Sequence, residues 1–282
     1  MKRLRISAIS YLNTAPLMWD FEHGDAGSQA RSDFDISYTL PSQCAANLRE
    51  GSADIGIIPA AAYTGISDLA IVPGVAIASR RAVRSILLVS RVPLEKIRSV
   101  ALDTSSMTSV ALTKVLFAKW WGGGRTFTAM APDIEQMLKM NDAGLVIGDP
   151  ALQIDRSRYL TYDLAEEWIR LTGKPFVFAF WAIRQAALKD APGDLDLAAV
   201  FQQSRDHGLL PESVDCIARE WAPRLGLSRE EVRSYLTENI HYSLDPGCLD
   251  GMQLFYQLAR ECEALPSARP LCFLDAARTA VI

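Results

Sequence analysis

The stretch Val83-Arg84-Ser85-Ile86-Leu87-Leu88-Val89-Ser90, followed by Arg91-Val92-Pro93, decides how this chain is read. It is an extended apolar run that closes one series of alternating strands and helices and opens another. Upstream of it, residues 4–10, 34–40, 54–58 and 70–79 read as strands, and residues 15–22 and 42–50 as helices. Downstream, residues 99–102, 126–130 and 145–147 read as strands. Residues 107–121 and 132–140 read as helices, the first with Ala111, Val115 and Ala118 on one face. Such succession favours mainly parallel sheets covered by helices, so the expected class is α/β in two units. Residues 176–183 supply one more strand. Beyond them the pattern is helical, over 197–207, 212–225, 229–239 and 247–262. Ser228 with Glu231 fits a capping box, and Asp245-Pro246 fits a cap followed by a first-turn proline. The expectation is a bilobal molecule. Lobe I takes residues 1–88 and 182–282, lobe II takes 89–181, and crossovers lie near 83–90 and 176–184.

Composition narrows the function. Of 282 residues 49% are apolar, enough to offset the entropy of ordering, which excludes a disordered chain. Lys and Arg number 29 against 33 Asp and Glu, a net charge of −4, and they are scattered, so no nucleic-acid partner is expected. The basic start Met1-Lys2-Arg3-Leu4-Arg5 runs into Ser7, Ser10 and Asn13 before any apolar core develops, so no secretory signal is expected. The apolar runs at 70–78 and 176–183 fall far short of the ~20 residues that cross a bilayer, and no membrane partner is expected. Cys44, Cys216, Cys248, Cys262 and Cys272 form no CxxC pair and read as buried thiols of a cytoplasmic protein. No obligatory protein partner is evident.

Polar residues gather where strands end, which is where open α/β sheets bind ligands. Ser10-Tyr11-Leu12-Asn13-Thr14-Ala15-Pro16 hands the first strand to a helix; Asn13 reads either as a cap or as a neutral donor and acceptor facing a cleft. Asp103-Thr104-Ser105-Ser106-Met107-Thr108-Ser109 sets five hydroxyls and an acid before a long helix, more than one cap requires, and suits a carboxylate or phosphate. Pro41-Ser42-Gln43 is a weaker version of the same device. Asp149 in Gly148-Asp149-Pro150 either positions a polar ligand group or caps a turn. Glu166 and Glu167 are adjacent on a helix, point about 100° apart and read as solvated positions. His23, His207 and His241 are far apart in sequence, and no HExxH, GxSxG or Walker motif occurs, so no metal site is expected.

Taken together, Tyr11-Leu12-Asn13-Thr14-Ala15-Pro16, Asp103 through Ser109, Ile147-Gly148-Asp149-Pro150-Ala151-Leu152 and Asp163-Leu164-Ala165-Glu166-Glu167-Trp168 with Thr172-Gly173-Lys174-Pro175-Phe176-Val177-Phe178-Ala179 resemble the chorismate dehydratase family of the futalosine route to menaquinone. The resemblance runs in order over residues 4–185 and weakens in the helical tail. Lys174 departs from it, standing where an apolar residue is expected. The resemblance implies a type II periplasmic-binding-protein fold with mixed, mainly parallel sheets, used as an enzyme that dehydrates chorismate without a cofactor. It also implies that Asn13 and Ser85 lie nearest the chemistry. Tyr11, Ser106, Met107, Thr108, Ser109, Gly148 and Asp149 are the expected substrate contacts. The base stays open between Asp149 and the substrate's own enolpyruvyl carboxylate. A solute-binding protein and the sister 1,4-dihydroxy-6-naphthoate synthase are the alternatives. The first normally needs a signal or anchor, and the second would be expected to present a cleft histidine.

Overall fold

The computed structural model describes residues 3–24, 32–189, 195–266 and 269–274; Met1 and Lys2 of the basic start lie outside them. The first sheet is built from β1 (Leu4–Ile9), β2 (Phe34–Thr39), β3 (Ile55–Pro59), β4 (Leu69–Ser79) and, much later, β10 (Phe176–Arg184). Its order is β2-β1-β3-β10-β4, with β1 parallel to β2 and β3, and β10 antiparallel to β3 and β4. The second sheet takes β5 (Ile86–Ser90), β6 (Ser99–Asp103), β7 (Thr126–Met130), β8 (Ala143–Ile147) and β9 (Leu160–Asp163) in the order β7-β6-β8-β5-β9. There β6 runs parallel to β7 and β8, while β5 is antiparallel to β8 and β9. The chain crosses between sheets over residues 80–85 and returns over residues 173–175. The strands β3, β5 and β8 are buried throughout, which is why they read as unbroken apolar runs rather than as alternating ones.

Helices α1 (Trp19–His23) and α2 (Pro41–Glu50) serve the first sheet, and α3 (Thr108–Leu116), α4 (Ile134–Met140), α5 (Gly148–Leu152) and α6 (Leu164–Thr172) the second. The tail supplies α7 (Leu197–Gly208), α8 (Pro211–Leu225), α9 (Arg229–Ser234) and α10 (Pro246–Glu261). The capping box of Ser228 and Glu231 forms as expected, and Asp245 caps α10 through Cys248 N–H at 3.0 Å. The tail helices bury their apolar faces in the same continuous core as both sheets, where Trp168, Phe176 and Phe255 meet edge to face. Gly251 lets α10 approach the second crossover, since a Cβ there would sit 2.1 Å from the Pro175 carbonyl. Among the described residues no helix is long and apolar enough to cross a membrane.

Several local expectations change. The helix expected over 15–22 is a 3-10 segment, Leu12–Met18, with Pro16 inside it, followed by α1. The strand expected over 83–90 begins only at Ile86, because Arg84 takes the left-handed conformation (φ 65°) and Val83 and Arg84 give their N–H groups to Asp163. Ser85 therefore precedes the strand. The helix expected over 107–121 turns from α to π at Phe117, and the one over 229–239 does so at Tyr235. The cysteine reading is also corrected: Cys44 and Cys248 are buried, Cys216 and Cys262 are partly buried, and Cys272 is exposed on the segment that reaches back to Ile71. At Lys174 the turn is ordinary. Gly173 ends α6 in the left-handed region and the ammonium lies 3.4 Å from Asp250 at the surface.

Candidate active site

Three strands, one from the first sheet and two from the second, end at one place. The carboxyl end of β1 delivers Tyr11 and Asn13, that of β6 delivers Asp103 to Ser109, and that of β8 delivers Gly148 and Asp149. Between them lies an open pocket whose polar wall is Tyr11, Asn13, Ser106, Thr108, Ser109 and the backbone of Gly148, facing Ile86, Ile147 and Phe178. Six of the nine residues expected from the sequence are thus brought together. The other three are placed differently. Met107 occupies the position before α3 and packs partly on the core. Asp149 stands behind Gly148 and accepts Leu12 N–H at 2.9 Å, while Ser85 is fully buried and receives the Tyr235 hydroxyl at 2.8 Å.

The hydroxyls of the α3 start divide their work. Thr108 Oγ1 accepts Ala61 N–H at 3.1 Å and donates to the Phe178 carbonyl at 3.0 Å, so it ties the helix to the first sheet. Ser106 Oγ accepts Ser109 N–H at 3.3 Å and caps the first turn. The first N–H groups of any helix have no earlier carbonyl to engage, and they carry the positive end of its dipole. Here they open beside the cavity, next to Ser106 and Ser109. No Lys or Arg lines this wall, so an anion held here would rest on hydroxyls, amides and backbone. Ser42 N–H reaches Ser105 O at 3.1 Å, so the Pro41-Ser42-Gln43 turn bridges the two sheets, and Pro41 lines the cavity.

Burial governs the acids. Asp149 is pushed up to about 6 by loss of solvent, against the opposing Leu12 N–H. Asp103 is raised for the same reason, although Ser105 gives Oδ1 both its N–H and its hydroxyl, at 2.8 and 2.7 Å. Tyr11 is raised by burial, opposed by the nearby Ser105 hydroxyl, and its ring fills the space a Cβ on Gly148 would need; with φ at 64°, that position requires glycine. Glu166 is exposed and Glu167 pairs with Arg170 at 2.6 Å, so they form no carboxylate pair. The histidines stand elsewhere: His23 stacks on Trp19, His207 meets Asp20 at 2.9 Å, and His241 meets Asp245, whose Oδ2 Arg80 also holds at 2.6 Å.

Sequence reasoning missed Tyr235. Its hydroxyl is buried and donates to Ser85 Oγ at 2.8 Å, and burial raises its pKa. A lone tyrosine on the apolar face of a tail helix carries no signal for this.

The profile of a family described as menaquinone biosynthesis matches residues 4–261. The chorismate dehydratase of Thermus thermophilus is 28% identical over 242 residues, covering 79% of this chain and 85% of that protein. Among solved structures, protein AF1704 from Archaeoglobus fulgidus superposes with a TM-score of 0.71 at 16% identity, covering 93% of this chain and 98% of that one. The periplasmic aliphatic sulphonate binding protein SsuA from Escherichia coli does so with a TM-score of 0.65 at 16% identity, over 98% and 94% of the two chains. The fold is therefore periplasmic-binding-protein-like, and the chain belongs to the menaquinone biosynthesis family.

Proposed function

We propose that this chain is a chorismate dehydratase that eliminates water from chorismate to give 3-[(1-carboxyvinyl)oxy]benzoate without a cofactor. The observation that carries the reading is the convergence of Asn13, Ser106, Ser109 and the start of α3 on one cavity beside half-buried Asp149, in a chain related to a chorismate dehydratase. The domain reading goes with it, its expected bounds at 88/89 and 181/182 moved to where the chain changes sheets: the elements up to β4 and from β10 onward as one lobe, β5 to α6 as the other, the cavity between them.

The chemistry suits such a wall. The C3 hydrogen of chorismate is conjugated through a ring double bond to the carboxylate, so its removal leaves a delocalised dienolate. Collapse of the dienolate breaks the C4–O bond, and the leaving hydroxide takes up a proton, so one water departs and the ring becomes aromatic. The C3 ether and C4 hydroxyl are trans, so the hydrogen and hydroxyl lost lie on one face, and one base can take the proton and return it. The reaction needs anion stabilisation, a donor near the hydroxyl and a modest base. In this reading Ser106, Ser109 and the α3 N–H groups hold one carboxylate, and Asn13 orients the departing hydroxyl. The position of Asp149 behind Gly148, with Leu12 N–H on Oδ1, favours the substrate's enolpyruvyl carboxylate as base over Asp149.

The test is to incubate purified protein with chorismate and no additions and identify products by mass. The expected product is chorismate less one water; binding without that loss supports a solute-binding protein instead. Asn13→Ala and Ser85→Ala are each expected to cut turnover by about 100-fold. Near-normal turnover in both would remove their assigned roles.

A further inference from the structure

Asn13 and Ser85 come from separate segments, yet both are tied to one point at the end of β8. Asn13 follows Leu12 in the 3-10 segment Leu12–Met18, and Ser85 stands just before β5. The last residue of β8, Ile147, pairs with Ile86. One step further, Gly148 N–H continues that ladder to the Ser85 carbonyl at 2.8 Å. Gly148 then turns through the left-handed region, φ 64°, against the Tyr11 ring. The next residue, Asp149, accepts Leu12 N–H on Oδ1 at 2.9 Å, so two consecutive residues of the second lobe bind both segments.

The bond to Leu12 answers a local need. The first N–H groups of a helix have no earlier carbonyl to engage, and the side chain at the cap position ordinarily accepts one of them. Tyr11 holds that position before Leu12–Met18 and makes no such bond. Leu12 is wholly buried, so water cannot replace the missing acceptor. Asp149 provides it from the opposite sheet.

We infer that Asp149 is a positioning residue: it caps the Leu12–Met18 segment from the second lobe and, together with Gly148 N–H on Ser85, holds Asn13 and Ser85 in one register. It serves as a hydrogen-bond acceptor and takes no proton from the substrate. This deepens the dehydratase reading and rests on it for its kinetic test.

The experiment uses full-length Asp149→Asn and Asp149→Ala. Asn keeps an oxygen that can accept Leu12 N–H, so its kcat on chorismate is expected to stay within about threefold of wild type. Ala removes the acceptor, and kcat is expected to fall by about 10- to 100-fold with KM changed less than about twofold. Added to Asn13→Ala, Asp149→Ala is expected to lower kcat by less than about twofold more, because its effect passes through Asn13. Equal losses in the Asn and Ala variants, wild-type kcat in Asp149→Ala, or multiplied losses in the double variant overturn the inference.

A further readout needs no substrate. In protein labelled with 15N-leucine, with Leu12→Ile identifying the resonance, the Leu12 amide is expected to exchange with solvent at least about 10-fold faster in Asp149→Ala and near the wild-type rate in Asp149→Asn. Unchanged exchange in Asp149→Ala overturns the inference. Should that variant fail to fold, loss of kcat or of Leu12 protection in Asp149→Asn still overturns it. Should wild-type protein leave chorismate unchanged, the functional reading falls while the exchange rate still decides the cap.

Discussion

The two crossovers do the same topological job by different physics. The first, over residues 80–85, is held by polar groups. Asp163 accepts N–H groups from Val83 and Arg84 at 3.1 and 2.6 Å as well as from Ala165 and Glu166 of α6. Gly148 N–H holds the Ser85 carbonyl at 2.8 Å, and Asn239 holds Ala82. These bonds keep Arg84 in a backbone conformation that costs a non-glycine residue about 1–2 kcal/mol. The second, over residues 173–175, is held by packing: Trp168, wholly buried, lies against Phe176 and Phe255, and its indole N–H meets the Pro175 carbonyl at 3.3 Å. Only the first adjoins the cavity. Polar ties can set the direction of a side chain, which a site needs, whereas apolar contact supplies stability without direction.

Breaking the apolar side should produce the largest change. Trp168→Ala is expected to remove about 3–5 kcal/mol of stability, measured by denaturant unfolding, while the protein that stays folded keeps its activity. A matching loss of specific activity would show that the second crossover also serves the site. Breaking the polar side should cost less stability and more function. Asp163→Asn turns an amide N–H toward donors that need an acceptor, and about 2 kcal/mol of stability is expected to go, with turnover falling in proportion beyond the folded fraction. Unchanged turnover would mean that Ser85 holds its place without that anchor.

The third difference is in pH dependence. Asp149, on the segment bonded to Ser85, has a folded-state pKa raised to about 6 from 3.8, so the native protein binds its proton more tightly than the unfolded chain does. Its contribution is present in full below about 4 and lost as pH rises through about 6. Relative to Asp149→Asn, the wild type is therefore expected to lose stability over that window, as followed by thermal melts at stepped pH. Parallel curves would contradict the assigned burial. The smallest effect belongs to Lys174→Ala, whose pairing with Asp250 is solvent-exposed, so stability should change by less than about 0.5 kcal/mol. A larger loss would make the second crossover partly electrostatic.

Much of the frame was legible because it is written in local chemistry. The face of α3 held for Ala111 and Val115 but not for Ala118, which the π turn leaves exposed, while the capping box at Ser228 and the aspartate cap of α10 each depend on residues a few positions apart and formed as read. So did the hydroxyl cluster from Thr104 to Ser109, which marks a strand end by its composition. The break at Arg84 was not legible, since an apolar run reads as strand until a carboxylate from β9 bends its start. Nor was the division of the hydroxyls. Thr108 and Ser109 look alike in sequence, and only the approach of Ala61 and Phe178 commits Thr108 to the frame.

The sequence by itself determined most of the order of strands and helices, β9 excepted, the division of the chain into two α/β series and the strand ends where polar residues collect, because hydrogen-bonding preference and side-chain period act within a turn or two of chain. Tertiary structure alone decided which of those residues share a cavity, that Asp149 and Ser85 stand behind its wall, and that Tyr235 reaches Ser85 across 150 residues of intervening chain. Such contacts depend on how two sheets pack through their crossovers, and burial then sets the donors and the acids, neither of which leaves a mark on neighbouring residues.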